Sequence, residues 1–84
     1  MDQVALRLDG TGRWIYLGGN ADAKKPLEVV VRAFDDPIEF ATGSGAESPD
    51  SDPVAVPTGE GRRLEGLHFF VRSAVRTRIS FRGI

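Results

Sequence analysis

Any imidazole chemistry in this chain would have to run through His68, the one histidine of 84 residues. A serine nucleophile needs a positioned base and a sharp strand-to-helix turn, and no serine lies in a G-x-S-x-G elbow. His68 falls on a segment of alternating apolar residues, where it is a partly exposed structural side chain. Asp35 and Asp36 could supply one carboxyl of the facing pair that splits glycosidic bonds across roughly 5–9 Å. Followed by Pro37, however, they make a turn, because proline presets the backbone and aspartate hydrogen-bonds local amides. Glu47, Asp50 and Asp52 could offer oxygens to calcium, which takes about six to eight of them. Only Asp50-Ser51-Asp52 has the alternation of a calcium loop, and Pro53 interrupts it, so this is read as a solvated acidic loop. With no cysteine, thiolate ligands, disulfides and thiol nucleophiles are all excluded. No catalytic residue, metal ligand or cofactor site is assigned.

Arginine carries the other possible chemistry. Nine of the eleven basic residues are Arg, whose fork suits fixed pairing with carboxylate or phosphate. The net charge of −1 hides a polarity: residues 1–61 sum to −6 and residues 62–84 to +5. Arg72, Arg76, Arg78 and Arg82 are expected on one basic face together with Phe70. That face either contacts another chain or pairs with acids of the same domain. Single-stranded nucleic-acid binders add a platform of exposed aromatics to such charge, and one Phe is not a platform, so nucleic acid is not favoured. Trp14 and Tyr16 share a strand face; in so small a domain a single Trp is more often core, the alternatives being an anchor at a protein interface, where Trp and Tyr are enriched, or a sugar-stacking platform. If the chain attaches to a partner, Trp14, Ile15 and Phe70 are the expected apolar anchors. The glycine pairs Gly10/Gly12, Gly43/Gly45 and Gly59/Gly61 lead into strand or loop instead of a helix N-terminus, so they are turn residues and not a phosphate cradle.

The elements that must position these residues are strands. Val4, Leu6 and Leu8 alternate with polar neighbours, the period of a half-buried strand. Asp9 to Gly12 turns the chain, and Arg13–Leu17 resumes it, a pattern that predicts a hairpin. Gly18-Gly19-Asn20 breaks the chain before a polar stretch ending at Pro26. Leu27–Phe34 contains Val29-Val30-Val31, β-branched residues that fit a pleated surface. Ile38 and Phe40 face inward on a short strand. Residues 43–53 hold no large apolar side chain and are expected as an exposed loop. Val54-Ala55-Val56, bounded by Pro53 and Pro57, belongs at a sheet edge or strand end. Arg62–Leu64 pairs briefly. Leu67, Phe69 and Val71, then Val75, Thr77, Ile79 and Phe81, form the inward faces of a second predicted hairpin that reverses at Ser73-Ala74.

The length allows a single domain, residues 1–84, and the pattern predicts an all-β fold: a small antiparallel β-sandwich or barrel of about six to eight short strands. Strand order is left open. A domain this small buries only about 60–65% of the surface of its unfolded chain, which favours association with copies of itself or another protein. No segment approaches the ~20 apolar residues of a membrane span. Met1-Asp2-Gln3 lacks the basic and apolar regions of a signal peptide, so synthesis in the cytoplasm is expected.

Val54-Ala55-Val56-Pro57-Thr58-Gly59-Glu60, then Leu64, then Leu67-His68-Phe69-Phe70-Val71-Arg72-Ser73-Ala74, resembles a phrase of small virion proteins of tailed bacteriophages. In those proteins a V-P-x-G-E turn precedes a strand of the form L-(Y/F)-(V/A)-R-(S/A) and a final amphipathic strand. The likeness spans about residues 54–82. Phe69-Phe70 departs from it where a single aromatic is commoner, as does the arginine density of the last strand. The resemblance implies a non-enzymatic decoration or accessory protein of the capsid, neck or tail, present in many copies of a virion assembled in the host cytoplasm. Its implied partners are the major capsid or neck protein and copies of itself. A carbohydrate- or receptor-binding module would instead show Trp14 and Tyr16 exposed in one groove. An OB-like nucleic-acid module would show Arg76 and Arg78 on a concave face with Phe70.

Overall fold

The computed structural model describes residues 4–19 and 27–83. The N-terminal tripeptide, the polar stretch ending at Pro26 and the last residue lie outside the described residues. The described chain contains eight strands and no helix: β1 Val4–Asp9, β2 Ile15–Gly19, β3 Leu27–Ala33, β4 Ile38–Gly43, β5 Val54–Val56, β6 Gly61–Gly66, β7 His68–Arg72 and β8 Arg76–Gly83. They form two antiparallel four-stranded sheets, ordered β1-β8-β3-β6 and β2-β7-β4-β5. Laid over one another, these orders stack β1 on β2, β8 on β7, β3 on β4 and β6 on β5. Each of those sequential pairs crosses from one sheet to the other, which is the jelly-roll arrangement of eight strands.

The core lies between the sheets and follows from alternation. Val29, Val31 and Ala33 of β3, Ile79 and Phe81 of β8 and Leu8 of β1 descend from the first sheet. Ile38 and Phe40 of β4, Val56 of β5 and Phe69 and Val71 of β7 rise from the second. Phe40 and Phe69 meet with ring centroids 5.8 Å apart, tilted, a favourable aromatic geometry. Ile15, Leu17, Leu27 and Leu64 close the margins of this cluster.

Both predicted hairpins are wrong in kind. β1 pairs with β8 and not with β2, while β2 pairs with β7. β7 and β8 likewise lie in different sheets. The two connections interlock instead. Gly12 N–H donates to the carbonyl of Ser73 at 2.9 Å. Gly10 sits at φ 76°, and a Cβ there would stand 2.6 Å from Arg76 N and 2.7 Å from Val75 C. Glycine is therefore required at this crossing both for its backbone conformation and for space. Stacked sheets lie about 10 Å apart, and three to five residues can bridge that gap or turn a hairpin equally well. Loop length and alternation alone do not separate the two.

Val75 is the other misplaced residue. Predicted to face the core, it is 48% exposed, because β8 begins at Arg76 and Val75 belongs to the arch. Thr77, Ile79 and Phe81 do face inward. The hydroxyl of buried Thr77 accepts the N–H of Asp36 at 3.1 Å, fixing the Asp35-Asp36-Pro37 turn to β8. The segment Arg62–Leu64, expected to pair briefly, belongs to a full six-residue strand paired along β3.

Phe81, 4% exposed, is closed in by both sheets. Phe81→Ala is expected to destabilise the fold by about 3–5 kcal/mol, through lost transfer energy and the cavity left behind. Val75→Ala should change it by less than about 0.5 kcal/mol, as is usual for surface positions. Urea denaturation of both variants checks the pair; a Phe81→Ala midpoint close to the parent's would contradict this packing.

Candidate interaction faces

The two sheets turn outward two faces of different character. The sequence expectation of one arginine face carrying Arg72, Arg76, Arg78 and Arg82 is corrected by the topology. Arg72 stands on β7 in the second sheet, the other three on β8 in the first, so they point away from each other. Had β7 and β8 been a hairpin, all four would have shared a face.

On the second sheet, Arg72 grips Glu39 of the neighbouring β4 through Nε at 3.0 Å and Nη2 at 3.3 Å. Its guanidinium lies over the Trp14 ring, 4.3 Å from the centroid, a cation–π contact. One face of the indole is thereby occupied, so Trp14 and Tyr16 do not form an open sugar-stacking platform. Tyr16, 43% exposed, leans on Phe70 with centroids 5.4 Å apart and shares a 2.9 Å hydrogen bond with His68 Nδ1. His68 is accordingly a hydrogen-bond partner of Tyr16.

Phe70 was expected as an exposed anchor, and it is 2% exposed. It does project from the outside of the sheet, but the loop after β4 covers it. A Cβ on Gly43 would stand 3.1 Å from Phe70 Cε2, 2.7 Å from Ser48 O and 3.2 Å from Pro49 Cα, so loop and ring converge on that glycine. The loop is bound down by its own polar residues. Thr42 O accepts the N–H of Asp50 and Ser51, and Ser51 Oγ accepts the N–H of Thr42 at 2.9 Å. Asp50 Oδ2 accepts both the N–H and the hydroxyl of Ser44 at 3.1 and 2.7 Å. Residues 44–52 thus form a tied flap, and Asp50 is committed within it. The third expected anchor, Ile15, is also corrected: it packs against the core, since it alternates with Trp14 and Tyr16 along the strand.

On the first sheet, Arg76, Arg78 and Arg82 point outward as expected. Arg78 makes a two-pronged pair with Asp35, both contacts 2.9 Å. That hydrogen-bonded guanidinium holds the Asp35 carboxyl below its ordinary value, with Arg7 assisting, and Asp35 in turn raises Arg78. Arg76 and Arg82 make no ion pair among the described residues. Arg7 of β1 lies directly across from Arg78, and Arg32 of β3 across from Ser80. Val30, Arg32, Phe34, Ser80 and Arg82 line a shallow hollow. Arg7, Arg32 and the exposed Phe34 were missed as members of this face. Their alternation with Leu6, Leu8, Val31 and Ala33 marked them as outward, but only the strand order sets them beside β8. Among the described residues, no group of three or more His, Asp or Glu is arranged to hold a metal ion.

Trp14 is the only tryptophan, so its fluorescence reports on the Arg72 stack. Arg72→Ala should shift the emission to the red and raise acrylamide quenching, with the core intact; unchanged emission would contradict the contact. Asp35 has a lowered folded-state pKa, so its contribution to stability is present above the unfolded value of about 3.9 and is lost as pH falls through the folded one. Both groups are exposed, so the effect is small, and the carboxyl's own NMR titration is the better readout. Arg78→Ala should move the Asp35 midpoint upward; an unmoved midpoint would contradict the pairing.

No protein-family model matches the sequence, and no curated protein is similar to it at a significant level. Among solved structures, the chain is similar to one from Bacillus endospore appendages, described as a novel family of disulfide-linked pili. The TM-score is 0.63 at 12% identity, over 95% of this chain and 79% of that one. At that identity the likeness bears on the fold: the chain is a small antiparallel β-sandwich built like the subunit of those appendages.

Proposed function

We propose that this chain is a non-enzymatic structural subunit of a repeating protein assembly, and in particular a decoration or minor structural protein on the capsid or neck of a tailed-bacteriophage virion. The observation that carries the reading is the likeness, over nearly the whole chain, to the subunit of a proteinaceous appendage. The virion setting rests on the resemblance across residues 54–82, which fall on β5, the Pro57–Glu60 turn, β6, β7 and most of β8. Jelly rolls serve both as viral capsid domains and as lectins, so the surface has to separate the two. Here the aromatic pair is partly occupied by Arg72, while the first sheet offers uncommitted arginines beside the exposed Phe34. The appendage relative is described as disulfide-linked. This chain has no cysteine, so no disulfide through these residues joins it to a capsid or neck protein or to its own copies. Exposed ion pairs add little affinity. Tyr16, Phe34 and Val75, the exposed large apolar side chains among the described residues, supply the anchors in place of Ile15 and Phe70.

Quantitative mass spectrometry of density-purified virions should find the chain in many copies per particle. Arg76→Ser with Arg82→Ser should keep the fold and weaken re-attachment to particles stripped of the chain at low salt. The deficit should shrink as salt rises, because exposed charges are screened beyond about 8 Å at physiological ionic strength. A chain absent from particles would overturn the virion setting. Full binding by the double variant at low salt would remove the arginine face from the interface.

A further inference from the structure

The four sheet edges are not alike. In the second sheet, β5 has only three residues between Pro53 and Pro57, and β2 carries a register shift between Tyr16 and Gly18. Short length, flanking proline and bulges are among the devices that prevent edge-to-edge pairing, as are edge charges. The first sheet has none of the first three, and its edge charges are of both signs: Arg7 and Asp9 on β1, Arg62, Arg63 and Glu65 on β6. β1 and β6 are each six residues long, with no proline and with unbroken register against β8 and β3. Among the described residues neither has a second strand partner.

The direction of the unused backbone groups follows from the ladder. Phe34 N–H donates to Arg78 O at 3.1 Å, so the peptide groups of Arg78 face β3. Hydrogen-bonded and non-bonded pairs alternate along antiparallel strands. Arg7, across from Arg78, therefore turns its N–H and C=O away from β8, as do Ala5 and Asp9. Ala33 bonds on the opposite side, donating to Glu60 O at 3.3 Å. By the same alternation Glu28 and Val30 face β8, so Arg63 and Glu65 across from them turn their peptide groups to the open edge. The outward peptide groups thus belong, on both edges, to residues whose side chains lie on the outer face.

β1 and β6 also run in opposite directions within the sheet, through three successive antiparallel pairings. A second copy in the same orientation therefore presents its β1 antiparallel to β6. One register sets Arg7 across from Glu65 and Asp9 across from Arg63, and sets Leu8 across from Leu64 on the core side. A slip of two residues one way puts Arg7 against Arg63, and the other way puts Asp9 against Glu65. Opposite charges directly across antiparallel strands stabilise, and like charges destabilise. Arg7 and Glu65 have no ion-pair partner among the described residues. Thr11 occupies only Oδ1 of Asp9.

We infer that copies of this chain join edge to edge, β6 of one to β1 of the next, with Glu65 across from Arg7 and Arg63 across from Asp9. The inference rests on the assembly reading above and names its contact. The junction is head-to-tail, so it repeats into a ring or an open filament according to the rotation between copies.

The missing cysteines make the register measurable. In a hydrogen-bonded antiparallel pair the Cα atoms are about 5.5 Å apart, within the roughly 4.4–6.8 Å range of a disulfide. Arg7→Cys with Glu65→Cys should give, on mild oxidation, a reducible ladder of dimers, trimers and higher species. Ala5→Cys with Glu65→Cys, two residues out of register, should link far more slowly. Without cross-linking, Arg7→Glu or Glu65→Arg alone should weaken self-association in sedimentation roughly three- to tenfold, and the two together should restore it. Self-association that survives both single changes and gives no 7–65 ladder would overturn this edge while leaving the assembly role standing. A chain monomeric from micromolar to millimolar concentration would overturn the inference, with attachment to virions tested separately by the particle assay.

Discussion

The structure depends on the crossing of its connections from sheet to sheet. Because Gly12 is hydrogen-bonded to Ser73 and Gly10 is pressed against the start of β8, the β1–β2 and β7–β8 arches hold each other in place. The contact lies where β8, an interior strand of the first sheet, and β7, an interior strand of the second, face each other across the core. The crossing decides which arginines share a face. A different connection at the same sequence positions would give the same buried residues and a different surface.

Charge is distributed by the same topology. The chain-wide polarity, acidic before residue 62 and arginine-rich after it, is partly consumed by long-range pairs: Arg72 with Glu39 and Arg78 with Asp35 join the basic third to the acidic body. Both are exposed enough that their value lies in fixing side chains more than in stability. The fixed arginines leave Arg76 and Arg82 for other partners, and the pair on the second sheet shields the indole of Trp14. The two outer faces therefore differ: one is knitted by aromatic and flap contacts, the other keeps cationic groups around an exposed Phe34.

Much of the fold was legible in the sequence. Alternation located the strands and, within most of them, the inward residues, as for Val29, Val31, Ile38, Phe40, Ile79 and Phe81. The prolines around Val54–Val56 marked an edge, which β5 is. What failed was long-range. Whether a glycine turn closes a hairpin or an arch depends on which strand lies beyond it, information absent from the turn itself. Phe70 illustrates the second failure: its position on the outer face follows from alternation, but its burial comes from a loop that looked merely polar. The Ser51 hydroxyl ties that loop to Thr42, and the Asp50 carboxylate closes it on Ser44. Val75 failed for a third reason, since the strand begins one residue later than its apolar pattern suggests.

The proposed assembly turns on the β1 and β6 edges, which are full-length and free of proline and bulges. Residue-resolved amide hydrogen exchange at a series of protein concentrations tests it most directly. The N–H groups of Arg7, Asp9 and Glu65 should exchange quickly in dilute solution and gain protection as concentration rises, while those of Phe69 and Ile79 stay protected throughout. Edge amides that exchange equally fast at every concentration, in a chain whose sedimenting mass nevertheless grows, would contradict the account.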